Sequence, residues 1–328
     1  MNCNCPLVSV VIPVFNAEKY LDRCLSSILN QSYGEIQLVC IDDGSIDASP
    51  ALLDSYASDY PDRVIVVHKE NAGAACARND GIRLSTGEYI TFVDNDDWID
   101  RRYIETLFNA AASTHADIVC SGYRRPDLEG HILSEATPKA TDEWGRYLVE
   151  AAWAKLYRTD FVKQNRLRFL DTNIDEDLYF SLPAIELAQH VEVIPYCGYN
   201  WFWNSDSVSN TSQRTSQGLL FEETLEAIFK MMQQKDIELT PILEHYFVRL
   251  ITWFLFYTSR GDGFARCRKN MIRYIGWLDR TIPGWRNENF ASPFHPTGDR
   301  IINRIAVWLF VKHSAIFTLA VRIYSRAC

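Results

Sequence analysis

Three carboxylates within four positions, Asp94, Asp96 and Asp97, close a short apolar run in which Tyr89, Ile90, Phe92 and Val93 follow a Thr86-Gly87 turn. Such a run reads as a buried strand, and open α/β sheets bind their ligands beyond the carboxyl ends of such strands. Like charges crowded at a strand end are costly unless a cation neutralises them. Alternate carboxylates suit a hard divalent ion that carries phosphate oxygens on its other positions. The chemistry on offer is a metal–diphosphate site, and the plain alternative for so short a pattern is a solvated acidic turn.

The surrounding sequence must supply the elements that position these acids. Residues 8–14 read as a strand, and residues 18–31 as an amphipathic helix with Tyr20, Leu21, Cys24, Leu25, Ile28 and Leu29 at helical spacing. A second strand, 36–41, runs into Asp42-Asp43-Gly44-Ser45; Asp47 or Ser49 caps a helix through Tyr56, 63–67 is a third strand, and 73–84 a helix. This strand–helix rhythm implies an α/β domain with a mostly parallel central sheet and right-handed crossovers. Beyond Trp98 the pattern gives a helix near 103–113, a strand at 118–120 and a polar segment, 124–141, that reads as a mobile loop. Asp175-Glu176-Asp177 then opens an apolar-periodic segment over 178–187, and residues 188–212 return to strand and loop. From 213 onward the pattern is helical, which places the boundary near 212: a domain over 1–212 and a helical C-terminal region over 213–328.

Composition bounds the function. The 328 residues are 47% hydrophobic and 23% charged, ordinary for a folded protein. Nine scattered cysteines without a Cys-x-x-Cys pair indicate neither a disulfide framework nor a zinc site, and the setting expected is the reducing cytoplasm. The polar amino terminus runs straight into a strand, leaving no room for a signal peptide. Charge is uneven: residues 245–328 carry 13 Lys and Arg against 4 Asp and Glu, or +9, whereas the rest carries 20 against 38, or −18. The acidic part argues against nucleic acid as a partner. The basic part, rich in Trp, Phe and Ile, points to peripheral contact with an anionic membrane. Its last stretch, 301–324, is broken by Arg304, Lys312, His313 and Arg322, so it reads as a helix lying in the membrane interface or packed internally rather than one that spans.

Four features converge on strand ends: Pro13-Val-Phe15-Asn16, Asp42-Asp43-Gly44-Ser45, Arg78-Asn79 and Asp94–Asp97. With Asn71-x-Gly73, Thr86-Gly87-Glu88-Tyr89-Ile90 and the continuation to Trp98, these ordered blocks resemble the inverting family 2 glycosyltransferases of the GT-A fold, in the branch that builds bacterial surface polysaccharides; the resemblance covers about 6–210. It implies transfer of a hexosyl or N-acetylhexosaminyl group from a nucleoside-diphosphate sugar, UDP above all, to a hydroxyl of a glycan or lipid-linked saccharide, with Mg or Mn as cofactor. Pro13, Phe15, Asn16, Asp42, Asp43, Arg78, Asp94 and Asn95 are then expected to bind the sugar nucleotide. Asp42 and Asp43 can accept from a uracil-like N–H and from ribose hydroxyls, and Arg78 offers a fork to a base edge or phosphate. Asp96 is the implied metal ligand, Asp94 its support, and the role of Asp97 stays open. Asp177 matches the family's base, and a helix N-terminus would keep it ionised. Lys155, Glu176, Trp201 and Trp203 are expected on the acceptor side.

The sequence departs from the family at 199–207. Relatives often carry Tyr-x-Tyr-Arg with a downstream serine, while this chain reads Tyr199-Asn-Trp201-Phe202-Trp203-Asn204-Ser-Asp-Ser207. The diphosphate therefore lacks its usual cation, and Lys155, Arg214, a C-terminal arginine, Ser207 or Ser209 could stand in. A catalytically silent relative that binds nucleotide or glycan is the rival reading. Retention of Asp94, Asp96 and Asp177 together weighs against it.

Overall fold

The computed structural model describes residues 5–141, 143–204, 215–286, 292, 294 and 299–327. The chain divides into two compact units. The first runs to Thr141, resumes over Gly145–Trp203 and includes Glu222–Met231; the second takes in Trp144, Phe221 and the chain from Met232 onward. The expected boundary near 212 falls within 205–214, outside the described residues.

In the first unit, strands β1 (Val8–Val14), β2 (Ile36–Asp42), β3 (Val64–His68) and β4 (Tyr89–Phe92) pair in parallel in the order β3-β2-β1-β4. Every side chain of β1, β2 and β4 is buried, as expected of strands covered on both faces. Beyond β4 the sheet becomes mixed. β8 (Lys155–Arg158) runs antiparallel between β4 and β6 (Ile118–Pro126); β9 (Val191–Asn200) lies parallel to β6, and the short β5 (Trp98–Ile99) closes the edge against β9.

The crossover helices are α1 (Leu21–Leu29), α2 (Ser49–Asp59) and α3 (Ala74–Leu84); α4 (Tyr103–Thr114), α5 (Thr159–Gln164) and α6 (Glu176–Leu187) follow. α1 buries Leu21, Cys24, Leu25 and Ile28, one stripe at helical spacing. Neither Asp47 nor Ser49 caps α2 in the ordinary way. Asp47 Oδ1 accepts from Ser49 N–H at 2.9 Å at the start of α2 and its Oδ2 from Glu18 N–H at 3.0 Å, while Ser49 Oγ accepts from Ala17 N–H at 2.9 Å, so both side chains hold the β1 exit loop.

The segment 124–141 is a correction to the sequence reading. It is not a loop: β6 extends to Pro126, and β7 (Ile132–Ala136) pairs antiparallel with it around a turn in which Asp127 N–H donates to His131 O at 3.0 Å. β7 is an exposed edge strand, so it lacks the alternation that a one-sided burial imposes. Residues 143–147 form a 3-10 turn.

The helical region comprises α7 (Phe221–Gln234), α8 (Pro241–Thr258), α9 (Phe264–Thr281), α10 (Ile301–Lys312) and α11 (Ser314–Ala327). The single terminal helix expected over 301–324 is two helices. The chain breaks at His313 (φ −140°, ψ 57°), whose N–H still caps Leu309 O.

α3 packs on β1 through small residues. A Cβ built on Gly81 would stand 2.2 Å from Val11 Cγ1, inside the core. Gly81→Ala improves helix propensity yet forces Val11 aside, and overpacking of this kind costs about 1–3 kcal/mol. A lowered urea midpoint at unchanged slope is the expected result.

Candidate active site

The carboxyl ends of β1, β2 and β4 form one corner of the first unit. The β1 exit is locked to the β2 exit by reciprocal bonds: Asn16 N–H donates to Ser45 Oγ at 3.0 Å, and Asn16 Oδ1 accepts from Ile46 N–H at 2.9 Å. Asn16 pays a positive φ of 48° for this position, a conformation that asparagine tolerates better than most residues. Asn95 Nδ2 donates to Pro13 O at 2.9 Å and ties the β4 turn to the same point. Phe15 projects from the corner, 49% exposed.

Asp42 and Asp43 are both buried at the end of β2. Asp42 accepts from Ser45 N–H at 3.0 Å and meets His68 Nδ1 at 2.7 Å. Asp43 accepts from Ala72 and Gly73 N–H at 2.9 and 2.7 Å, fixing the turn that enters α3. Gly44 between them and the loop has φ +77°, and a Cβ there would lie 2.9 Å from Asn71 N, so only glycine lets the two turns touch. Each carboxylate retains acceptor capacity beyond these bonds.

Arg78 is the centre of the site. Its side chain is 6% exposed and sits 5.4 Å from the Phe169 ring. One Nη donates to Asp94 Oδ1 at 2.7 Å; the other lies 3.5 Å from Glu176 Oε1 and 3.6 Å from Asp177 Oδ1. Burial works to lower the guanidinium pKa, but Asp177, Asp94 and Glu176 outweigh it and raise it. The sequence reading placed Arg78 against a base edge or phosphate. The structure turns it inward, as the bridge between the β4 acids and the start of α6.

Asp177 lies in the first turn of α6, after Asp175 in a left-handed conformation (φ 57°, ψ 31°). Burial pushes its carboxyl up to about 7, with the charges of Glu176 and Asp94 adding to the rise and Arg78 and Lys155 opposing it. Its buried Oδ1 makes no hydrogen bond among the described residues. A carboxylate poised near neutrality and short of donors is suited to take a proton.

The three β4 acids divide by environment. Asp97 is fully buried, accepting from Tyr199 OH at 2.6 Å and Phe202 N–H at 2.8 Å. Burial drives its carboxyl well above the usual range, the charges of Asp96 and Asp94 add to this, and the bonds from Tyr199 and Phe202 pull back. Asp97 is thus spent on holding β4 to β9. Asp94 and Asp96 stay partly exposed. Their hard oxygens fit a divalent ion that takes phosphate and water on its remaining positions. A prearranged trio of ligating side chains lies elsewhere among the described residues, at Asp127, Glu129 and His131 of the β6–β7 turn.

Lys155 is not on an open face. It is fully buried, its Nζ donates to Val149 O and Ala151 O at 2.6 and 2.7 Å, and burial draws its pKa down to about 8. It therefore cannot reach a diphosphate or an acceptor. Trp201 is half-buried, 4.2 Å under the Arg125 guanidinium and packed on Tyr123 and Trp153, while Trp203 is 42% exposed. Glu176 stays partly exposed beside Asp177. Arg214, Ser207 and Ser209 lie outside the described residues.

Three positioning roles escaped the sequence reading, although Asn79 and Tyr199 stood in motifs it named. Tyr199 both donates to Asp97 and accepts from Asp94 N–H at 3.2 Å; its place in the quoted 199–207 segment was the available signal. Arg23 of α1 donates to Asp96 O at 2.9 Å and stacks 3.8 Å from Trp98 and 4.6 Å from Phe202. An arginine beside Cys24 on the buried stripe of α1 could have flagged it. Asn79 exchanges two bonds with Phe169, donating to its O at 3.0 Å and accepting its N–H at 2.9 Å, which pins the approach to α6 onto α3.

The sequence model of Glycosyl transferase family 2 matches residues 9–178. The chain is 35% identical over 202 residues to "Glycosyltransferase GlyA" of Streptococcus pneumoniae, a match covering 56% of this chain and 29% of that protein. It is 30% identical over 269 residues to "Putative glycosyltransferase EpsH" of Bacillus subtilis, covering 77% of this chain and 76% of that one. The chain thus spans less than a third of GlyA but three quarters of EpsH. Among solved structures, S. aureus TarS 1-349 in complex with UDP superposes with a TM-score of 0.68 at 20% identity over 98% of this chain and 92% of that one; the same TarS fragment with UDP-GlcNAc gives 0.68.

Arg78→Met leaves Asp94, Glu176 and Asp177 facing one another without their shared cation. Removal of one partner from a buried charge cluster costs about 3–5 kcal/mol. Urea denaturation near neutral pH is expected to show that loss, and to show less of it in mild acid, where the raised Asp177 carboxyl is already neutral.

Proposed function

The chain belongs to glycosyltransferase family 2, enzymes of the GT-A fold, and from that premise we propose that it inverts the anomeric centre of a UDP-sugar in one displacement. The acceptor is a hydroxyl of a glycan or lipid-linked saccharide in cell-surface polysaccharide synthesis. The enzyme works in the cytoplasm, in peripheral contact with the membrane. The observation that carries this reading is the Arg78 bridge, which holds the donor-side carboxylate Asp94 and the proton acceptor Asp177 at opposite ends of one guanidinium.

Asp177 takes the proton of the acceptor hydroxyl as that oxygen bonds to the anomeric carbon, and the bond from this carbon to the diphosphate oxygen breaks on the opposite face. Glu176 borders the acceptor beside it. The nucleoside lies along Pro13, Phe15 and Asn16, with Asp42 and Asp43 using their remaining acceptor capacity toward the base and ribose. The UDP and UDP-GlcNAc held by TarS support uridine as the nucleoside. Asp96, steadied by Asp94 and by Arg23 on its carbonyl, would hold Mg or Mn, which supplies charge neutralisation to the leaving diphosphate; Mn accompanies GDP-Man in a mannosyltransferase of Pyrobaculum calidifontis with a TM-score of 0.55. Trp203 is exposed for a sugar face, whereas Trp201 serves by packing.

UDP release from a panel of UDP-sugars tests the assignment. Asp177→Asn is expected to lower turnover about 100- to 10,000-fold while UDP binding stays nearly intact; normal turnover would mean that the base is elsewhere. EDTA and Asp96→Ala are each expected to abolish transfer, and full activity in chelator would reject the metal role. Because the base acts when ionised, kcat/KM is expected to rise with pH through about 7 and level off above it. A flat profile across that range would remove Asp177 from the chemistry.

A further inference from the structure

Within the second unit, α10 and α11 each bury one stripe and offer an apolar one to solvent. α10 buries Val307, Phe310 and Val311, while Ile301, Ile302 and Ile305 are 62%, 65% and 37% exposed. α11 buries Phe317 and Val321, and exposes Ile316, Leu319 and Ile323 by 52%, 55% and 62%. The spacing i, i+3, i+7 puts these last three on one ridge. Six exposed branched aliphatic side chains thus lie on two consecutive helices. Between α8, α10 and α11 an apolar groove of about 480 Å³ opens, lined by Trp253, Phe256, Ile302, Leu309, Ala320 and Tyr324.

Charge identifies what meets this face. The described acids of residues 245–327 are Asp262, Asp279 and Asp299. Asp262 is buried under Thr215, Ser216 and Asn270, Asp299 is buried against Arg249, and Asp279 is held by Trp285 and Arg286. Two of these acids are consumed inside and the exposed Asp279 is paired with Arg286, whereas α9, bonded to α11 through Thr318 Oγ1 and Met271 Sδ at 3.2 Å, exposes Arg268, Lys269 and Arg273. A second copy of this face would bring basic surface against basic surface. No helix of the described residues is long and apolar enough to cross a membrane. Aliphatic ridges beside clustered basic side chains are the composition of an interfacial contact with anionic lipid.

We propose that α10 and α11 dock this protein on an anionic phospholipid bilayer, the Ile316–Leu319–Ile323 ridge entering the headgroup–acyl boundary and one acyl chain occupying the groove against Trp253. The inference rests on the membrane contact of the proposed function and names the elements and the lipid. It is independent of the transfer chemistry, so UDP-sugar turnover in detergent-free buffer with a water-soluble acceptor is measured alongside and reports on that separately.

The experiment is flotation of the full chain with phosphatidylcholine vesicles, with and without roughly 30% phosphatidylglycerol. Wild type is expected to bind the anionic vesicles more than about tenfold better, and to lose the preference at high salt. The triple variant I316E, L319E and I323E is expected to lose binding by a similar factor with its thermal unfolding midpoint kept. Should it fail to fold, R268E with K269E, both on exposed positions, is expected to abolish the anionic preference. Chain-brominated lipid is expected to quench wild-type fluorescence and to quench Trp253→Phe less. Equal flotation of variant and wild type, indifference to lipid charge, or a wild-type dimer that the triple variant converts to monomer without lipid would each overturn the proposal.

Discussion

One guanidinium set among three carboxylates is the constraint on which the site depends. Arg78 stands where the sheet excludes water, and its positive charge would be untenable there without Asp94, Glu176 and Asp177. The dependence is mutual. Asp94 belongs to the turn after β4 and the other two to the start of α6, segments more than 80 residues apart that nothing else brings so close by charge. Arg78 therefore fixes the separation between the acid of the β4 turn and those at the start of α6. Phe169, stacked 4.5 Å from Phe180 and held by Asn79, supplies the apolar wall against which the Arg78 guanidinium lies.

A second buried assembly keeps the β4 turn in shape. Asp97 points into the core, where burial raises its carboxyl well above the usual range and hydrogen bonds from Tyr199 and Phe202 fix it in place. Tyr199 in turn stacks 4.6 Å from Trp153 at an interplanar angle of 8°, so its hydroxyl cannot wander. Arg23 clamps the Asp96 carbonyl from the other side. The outcome is that of three neighbouring aspartates one is structural and two are left toward solvent. The burial of Asp97 gives the turn a structural anchor, and Asp94 and Asp96 are the two acids that remain partly exposed.

The parallel half of the sheet was legible because its strands are covered on both faces and read as unbroken apolar runs, with helices between them of strong period. The convergence of Asp42 and Asp94 was legible for the same reason, since parallel topology delivers strand ends to one edge, whereas Asp177, at a helix start, was read from the family resemblance. What escaped the sequence were features without period. β7 is exposed and pairs by backbone alone, so Ile132 and Leu133 gave no alternation to read. Lys155 looked like a surface cation because sequence carries no sign of the two carbonyls that receive its ammonium. The inward turn of Arg78 was hidden too, because the partner acids at 176 and 177 lie nearly a hundred residues away.

Charge balance makes the last step. The corner presents Asp94, Asp96, Glu176 and Asp177; Arg78 is already shared among three of them, and Arg23 is engaged on the Asp96 carbonyl. A nucleoside diphosphate would bring further negative charge to the same place, and Lys155, the nearest expected substitute, is buried and bonded elsewhere. Under the proposed function, added positive charge would meet that negative charge at Asp94 and Asp96, both partly exposed. This is the physical content of the proposed Mg or Mn requirement: Lys155 is committed to backbone carbonyls, Arg214, Ser207 and Ser209 lie outside the described residues, and an ion held by the β4 turn would neutralise the departing diphosphate.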